Sequence, residues 1–329
     1  MTEHPAPLVS AIIIFLNEER FLGEAIAGVQ GQTNESWELL LVDDGSTDSS
    51  SEIAKAAAAA DPDRIRYLTH PDGANRGMSA SRNLGIAHAY GWYIAFCDGD
   101  DFWLPGKLER QTDLAGRHPK AAMVIAPLLR WRRWSESPGA VELEDVLGVG
   151  RRKFGRHPYA GRLVDPPAIA RLMLEDDYFI PGGALIQRRI LDEVGGYHNE
   201  FRSMYEDAVV MMKIASRYPV YVDDKISYLY RMHPDSCTST ESTSSTVDST
   251  RSRYLEVSEQ YLAANGLLTP WLEEALSRSR LSTYDRRHRP IRLLNLGRAI
   301  GRTILPRSVR DLLRKSWRSL TRPEVPCDV

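Results

Sequence analysis

Three carboxylates within four residues, Asp98, Asp100 and Asp101, close an apolar run over residues 92–97 in the stretch AFCDGDDFW. Like charges this close repel unless water screens them or a cation sits between them. The stretch is therefore a solvated Asp/Gly turn or a metal-binding turn, and the flanking Phe96, Phe102 and Trp103 argue against plain solvation. An oxygen-only set of aspartates favours hard cations such as Mg2+ or Mn2+. Such ions usually take one or two carboxylates and leave other positions to water and substrate phosphates, so an Asp-x-Asp after a strand suits a diphosphate substrate. A second acidic stretch, Asp43-Asp44-Gly45-Ser46-Thr47-Asp48, reads in part as a helix start, with Ser46 or Thr47 as N-cap and Asp48 favouring the helix dipole. A carboxylate at Asp44 can also accept a hydrogen bond from a nucleobase imide or amine.

Side chains so far apart meet only if the elements bring them together. Continuous apolar, β-branched runs over 9–15, 37–42, 65–69, 92–97 and 121–126 alternate with helical periods over 18–30, 47–60, 78–89 and 105–117. That order predicts an α/β fold with a mainly parallel, Rossmann-like sheet covered by helices on both faces. Ligands of such sheets bind beyond the carboxyl ends of the strands. There Asn17 and Glu18 follow the first strand, Asp43 and Asp44 the second, and Asp98, Asp100 and Asp101 the fourth, so one crevice is expected to gather them. Residues 130–167 read as an irregular insertion near the site, 205–218 as a helix, 236–252 as a mobile Ser/Thr-rich loop and 254–284 as helical.

The 329 residues suffice for a large buried core, and 43% of them are hydrophobic. Three scattered cysteines, Cys97, Cys237 and Cys327, suit a reducing compartment better than a disulfide framework. Neither a signal peptide nor an apolar span long enough for a bilayer is legible, so a cytoplasmic location is expected. The net charge of −2 hides a segregation: residues 278–322 hold 14 Lys/Arg against Asp285 and Asp311, a surplus of 12.

The motifs together resemble the family 2 glycosyltransferases. Ser10-Ala11-Ile12-Ile13-Ile14, Asn17, the Asp43–Asp48 stretch, Ala80-Ser81-Arg82-Asn83-Leu84-Gly85 and Asp98-Gly99-Asp100-Asp101 carry the likeness. Gly195-Gly196-Tyr197, Glu206-Asp207 and the segment from Tyr230 to Ser236 continue it in the same order. The resemblance covers roughly residues 8–240. It implies the GT-A fold and an inverting transfer from a nucleotide-diphosphate sugar donor to a glycan or lipid-linked acceptor. In that scheme Asp44 meets the base, Ile14 and Leu16 line its pocket, and Glu18 and Gly99 border the donor. Asp98 lies near the ribose, while Arg82 and Asn83 shape the donor site. Asp100 ligates Mg2+ or Mn2+, His233 is a second metal or diphosphate contact, and Asp207 is the general base. Phe15 and Leu16 stand where family members often have Pro and Tyr before the asparagine, so Leu16 offers the base an apolar contact in place of an aromatic one. Trp131, Trp134 and Tyr159 are candidate sugar platforms, and Arg151, Arg152, Lys153 and Arg156 candidate phosphate contacts.

The expected organisation is a catalytic domain over 1–240, with the nucleotide-sugar half at about 8–127 and the acceptor side at about 128–240. A helical, basic extension follows over 241–329. Within 286–320, Val309, Leu312, Leu313, Trp317 and Leu320 share a helical face among Arg310, Arg314, Lys315 and Arg318. This suits either an anionic membrane surface, which would make the protein peripheral, or packing on the catalytic domain with a solvated basic face. No base-reading motif supports nucleic-acid binding. A nucleotidyltransferase would carry a Gly-rich, basic phosphate loop where Asn17-Glu18-Glu19 stands, and a silent sugar-nucleotide-binding protein would not need Asp98, Asp100 and Asp207 together.

Overall fold

In a computed structural model of the chain, β1 (Val9–Phe15), β2 (Trp37–Asp43), β3 (Ile65–Thr69) and β4 (Tyr93–Asp98) pair in the order β3-β2-β1-β4, all parallel. The structure describes residues 7–131, 143–147, 159–175, 183–202, 204–237 and 246–288. Every residue of β1 and β2 is buried. Ile12, Ile14, Leu40, Val42, Ile94 and Phe96 enter one apolar cluster, whereas Ala11, Ile13, Leu39, Leu41, Ala95 and Cys97 enter another. A period-2 strand with both faces covered has no polar side, which is why these runs read as continuous. Each buried isoleucine contributes about 1.5–3 kcal/mol from burial.

Register then aligns the strand ends. Phe15 stands opposite Asp43, and Ile14 opposite Asp98. The chain leaves β1 for β2 on one side and returns to β4 on the other, so the ends of β1 and β4 flank the point where strand order reverses. A crevice opens at such a point.

Helices α1 (Leu22–Gln30) and α2 (Ser50–Ala60) start three or four residues later than periodicity predicts. The polar residues ahead of them bind each other instead. Asn17 has a φ of 57°, and its Oδ1 accepts the Thr47 N–H at 2.7 Å while its own N–H donates to Ser46 Oγ at 3.0 Å. Glu18 N–H donates to Ser50 Oγ at 2.8 Å, and Glu19 N–H to Asp48 Oδ2 at 3.0 Å. Ser46 and Thr47 are therefore stitches between two loops and not an N-cap, a place taken by Ser49. Helices α3 (Met78–His88) and α4 (Lys107–Arg117) complete the first half.

Between β4 and α4 lies β5 (Phe102–Trp103), and after α4 come β6 (Met123–Ile125), β7 (Leu128–Trp131), β8 (Leu143–Leu147), β9 (Arg162–Val164), α5 (Ala168–Leu174), β10 (Leu185–Gln187), α6 (Arg188–Glu193), α7 (Glu206–Arg217), β11 (Val220–Val222) and β12 (Tyr228–Arg231). The main sheet has eight strands, ordered β3-β2-β1-β4-β10-β6-β11-β9, and β10 runs antiparallel to both β4 and β6. A small sheet, β5-β12-β7-β8, stands beside it. The stretch 130–167, expected to be irregular, contributes strands of three to five residues, too short to leave a period in the sequence.

The helices α8 (Thr246–Ala264) and α9 (Pro270–His288) follow. Residues 246–252, expected in a loop, are the first turns of α8; Arg251 there is buried and donates to Ser279 Oγ of α9 at 2.5 Å. Leu255, Leu262, Leu272 and Leu276 join the same apolar cluster as Ile12 and Phe96. Among the described residues no helix is long and apolar enough to cross a membrane. Trp134, Arg151–Lys153, Arg156 and the basic tail from 289 lie outside the described residues.

Candidate active site

A cavity of about 530 Å³ opens over the carboxyl ends of β1, β2 and β4 and the start of α7. Ile14, Leu16, Glu18, Asp44, Arg82, Asp98, Gly99, Asp100 and Asp207 line it. Residues from four separate elements thus share one cleft. Asn83 does not line it: its side chain donates to the Tyr197 carbonyl at 2.8 Å and accepts the Tyr197 N–H at 2.9 Å, clamping a turn behind the wall. His233 is buried behind Asp100, with its ring 4.9 Å from that of Phe21.

The two aspartates ending β2 divide their work. Asp43 accepts the N–H groups of Gly45 and Ser46 at 3.1 and 2.8 Å, together with the hydroxyls of Ser51 and Tyr67. Those bonds hold its carboxyl below the usual range despite burial. Asp44 faces the cavity and accepts from Arg76 N–H at 2.8 Å, Gly77 N–H at 3.0 Å and Ser81 Oγ at 3.0 Å. It fixes the segment before α3 against the sheet.

The turn after β4 divides in the same way. Asp101 points away from the cavity, accepting the Tyr228 hydroxyl and the Arg231 N–H at 2.8 Å. Complete burial, then the charges of Asp100 and Asp98, push its carboxyl well up. Arg231 straps the turn from behind: its Nε donates to the Asp100 carbonyl at 2.6 Å and a terminal nitrogen to Glu24 at 2.6 Å. Gly99 is required by close approach, since a Cβ there would sit 2.8 Å from Phe15 Cβ. This leaves Asp98 and Asp100 aimed inward.

Glu18, Asp100 and His233 each bring a ligand atom within 4.8 Å of the others. His233 Nε2 lies 3.0 Å from Asp100 Oδ2. Burial, with Asp100 and Asp98 adding repulsion, pushes the Glu18 carboxyl up to about 8. A divalent ion would relieve that repulsion, and two carboxylates with one imidazole form a donor set that Mn2+ or Mg2+ accepts, with positions left open. The residues fit such an ion.

On the facing wall Arg82 is buried and bridges Asp98, at 2.7 Å, and Glu206. Glu206 and Asp207 are both buried, and burial pushes them up to about 8 and about 6. With Glu206 taken by Arg82, Asp207 is the carboxylate of the pair with no direct ion-pair partner among the described residues; its Oδ1 accepts the Ala208 N–H at 2.7 Å, and the nearby Arg82 charge favours its ionised form. An acid tuned to about 6 is ionised near neutral pH yet basic enough to take a proton.

The residue before this pair is itself unusual. Tyr205 caps α7 with φ 68° and ψ 1°, a left-handed conformation that costs a bulky residue on the order of 1–3 kcal/mol. Its ring stacks on Tyr254 of α8, with centroids 5.3 Å apart and planes at 23°. Tyr205, Tyr230 and Tyr254 supply the aromatic wall of the cavity. Trp131 and Tyr159 do not line it: Trp131 lies under the Arg231 guanidinium at 4.4 Å, and Tyr159 packs on the main core. Arg231 falls within a motif of the resemblance, but its strapping role, like that of Tyr254, has no local signal because each acts on a segment many residues away.

The family profile described as Glycosyl transferase family 2 matches residues 10–195. Over 112 residues the chain is 42% identical to the putative glycosyltransferase EpsE of Bacillus subtilis (strain 168), a match covering 34% of this chain and 40% of EpsE. The putative teichuronic acid biosynthesis glycosyltransferase TuaG of the same organism is 35% identical over 107 residues, 32% of this chain and 41% of TuaG. The matches thus span about two fifths of those relatives. Among solved structures, S. aureus TarS 1–349 in complex with UDP-GlcNAc superposes with a TM-score of 0.62 at 15% identity, over 85% of this chain and 76% of that one. The mannosyltransferase PcManGT from Pyrobaculum calidifontis, in complex with GDP-Man and Mn2+, gives 0.53 at 15% identity, over 85% and 88%.

Proposed function

The chain belongs to glycosyl transferase family 2 and has the GT-A fold; on that premise we propose that it is an inverting glycosyltransferase. It moves a sugar from a nucleotide-diphosphate donor to a hydroxyl acceptor in polysaccharide or glycolipid assembly. The observation that carries this reading is the shared cavity, where inward-facing carboxylates after β1, β2 and β4 oppose Asp207 at the start of α7.

The roles follow from chemistry. Asp44, between the Arg76 and Gly77 amides, borders the end of the cavity that takes the base, with Ile14 and Leu16 against its faces. Asp98, ion-paired with Arg82, accepts from ribose hydroxyls. Glu18, Asp100 and His233 would hold a divalent cation, which when bound neutralises the leaving diphosphate. Asp207 accepts the acceptor's hydroxyl proton as that oxygen bonds to the anomeric carbon and the bond to the diphosphate breaks, so the product sugar is inverted. The complexes of TarS with UDP-GlcNAc and of PcManGT with GDP-Man and Mn2+ support a sugar-nucleotide donor and a metal of this kind.

A screen of UDP-, GDP- and dTDP-sugars with and without Mn2+, read by thermal shift and by release of nucleoside diphosphate, tests the proposal. A donor that stabilises the chain only with the metal is expected; indifference to every donor would refute it. We extend the proposal to an anionic membrane contact through residues 286–320, on the charge and apolar pattern of that segment. Vesicles containing phosphatidylserine should bind the full chain and not a chain ending at residue 288, and equal binding would remove the membrane role.

A further inference from the structure

The fold gives α8 a task beyond packing. The family profile ends at residue 195, yet Tyr254, from a helix starting 51 residues later, lines the same cavity as Asp207 and is itself almost wholly buried. Its ring lies against Tyr205, the residue that turns the chain into α7. Among the described residues only Asn17 and Tyr205 have positive φ without being glycine. Asn17 is held there by the loop stitches already described, and asparagine tolerates the region better than most residues. A tyrosine needs an external reason. Its carbonyl closes the first turn of α7 by accepting the Val209 N–H at 3.0 Å, so its backbone angles set where Glu206 and Asp207 point. Arg253, next to Tyr254, donates to Glu200 at 2.5 Å and joins α8 to the segment that leads into the turn.

We propose that Tyr254 is a positioning residue: its stack on Tyr205 holds the left-handed turn that aims the Asp207 carboxylate into the cavity. Donor-side residues come from the strand ends, whereas the aim of Asp207 depends on a helix outside the profile. The inference rests on the reading of Asp207 as the base, but its geometric part can be tested without any substrate.

The test uses the full chain and hydrogen exchange at the Val209 amide, which reports whether the Tyr205 turn is closed. Tyr254→Phe keeps the stack and should exchange like wild type. Tyr254→Leu keeps apolar bulk without the ring and should exchange about tenfold faster at Val209, while amides in the middle of α8 stay protected. Tyr205→Ala, which leaves α8 intact, should open the same amide. The double change Tyr205→Gly with Tyr254→Leu should restore protection, because glycine adopts the left-handed region without a clamp. Unchanged exchange in both Tyr254→Leu and Tyr205→Ala, or a loss that Tyr205→Gly does not repair, would overturn the proposal. Release of nucleoside diphosphate, assayed alongside, should fall about tenfold in Tyr254→Leu. If the wild-type chain turns over no sugar nucleotide, the functional reading fails while the exchange result still decides the positioning role.

Discussion

Asp207 combines burial with the absence of a direct ion-pair partner among the described residues, and each property has a measurable consequence. As the base it must be ionised, so turnover should fall tenfold per pH unit below about 6, where burial has moved its titration. A profile flat from pH 5 to 8 would remove it from that role. Asp207→Asn should cut kcat by roughly 10²–10⁴-fold while the affinity for nucleoside diphosphate with Mn2+ stays unchanged. The same change should raise the melting temperature at pH 8. A carboxyl whose folded pKa is raised adds stability below its unfolded pKa, and that contribution is lost as pH rises through about 6. Asparagine is never charged, so its advantage at pH 8 should vanish near pH 4. On the opposite wall, Glu18→Gln should weaken Mn2+ binding, followed by titration calorimetry, by at least the roughly 10–100-fold that loss of a supporting hydrogen bond costs metal sites. Strand-end spacing brought Glu18, Asp44, Asp98 and Asp100 into view, and the family resemblance brought Asp207. Spacing could not say that Asp43 and Asp101 turn away from the cavity to brace neighbouring segments, because the pleat decides which of two neighbouring aspartates faces a cleft.

At the level of elements, the turn after β4 shows how a site is held from outside itself. Gly99→Ala would drive a methyl into Phe15; we expect a loss of about 1–3 kcal/mol in urea denaturation, with weaker binding of Mn2+ as Asp100 shifts. A fully stable variant with wild-type metal affinity would show that the turn has room to move. The central strands β1 and β2 were legible because burial on both faces leaves a continuous apolar run. Helix starts were not, since Asn17, Ser46, Thr47 and Asp48 carry residue types that suit caps and cross-loop stitches equally. The strap from Arg231 joins residues more than 130 positions apart, a distance that no local pattern encodes.

For the whole molecule, the described C-terminal helices complete the same core as the sheet. A chain ending at residue 240 loses Leu255, Leu262, Leu272 and Leu276 from that core and should not give a cooperative transition. Each lost leucine removes a contribution of the kind that costs roughly 2–5 kcal/mol when cut back to alanine, so four exceed the margin of an ordinary domain. The placement of β10 carries a consequence for synthesis. Because this late strand lies between β4 and β6, a nascent chain that has emerged only through residue 127 exposes β4 as an open ladder of amides and carbonyls. Until residue 187 clears the ribosome, that edge is available to any neighbouring strand, and chaperone capture should peak within this window.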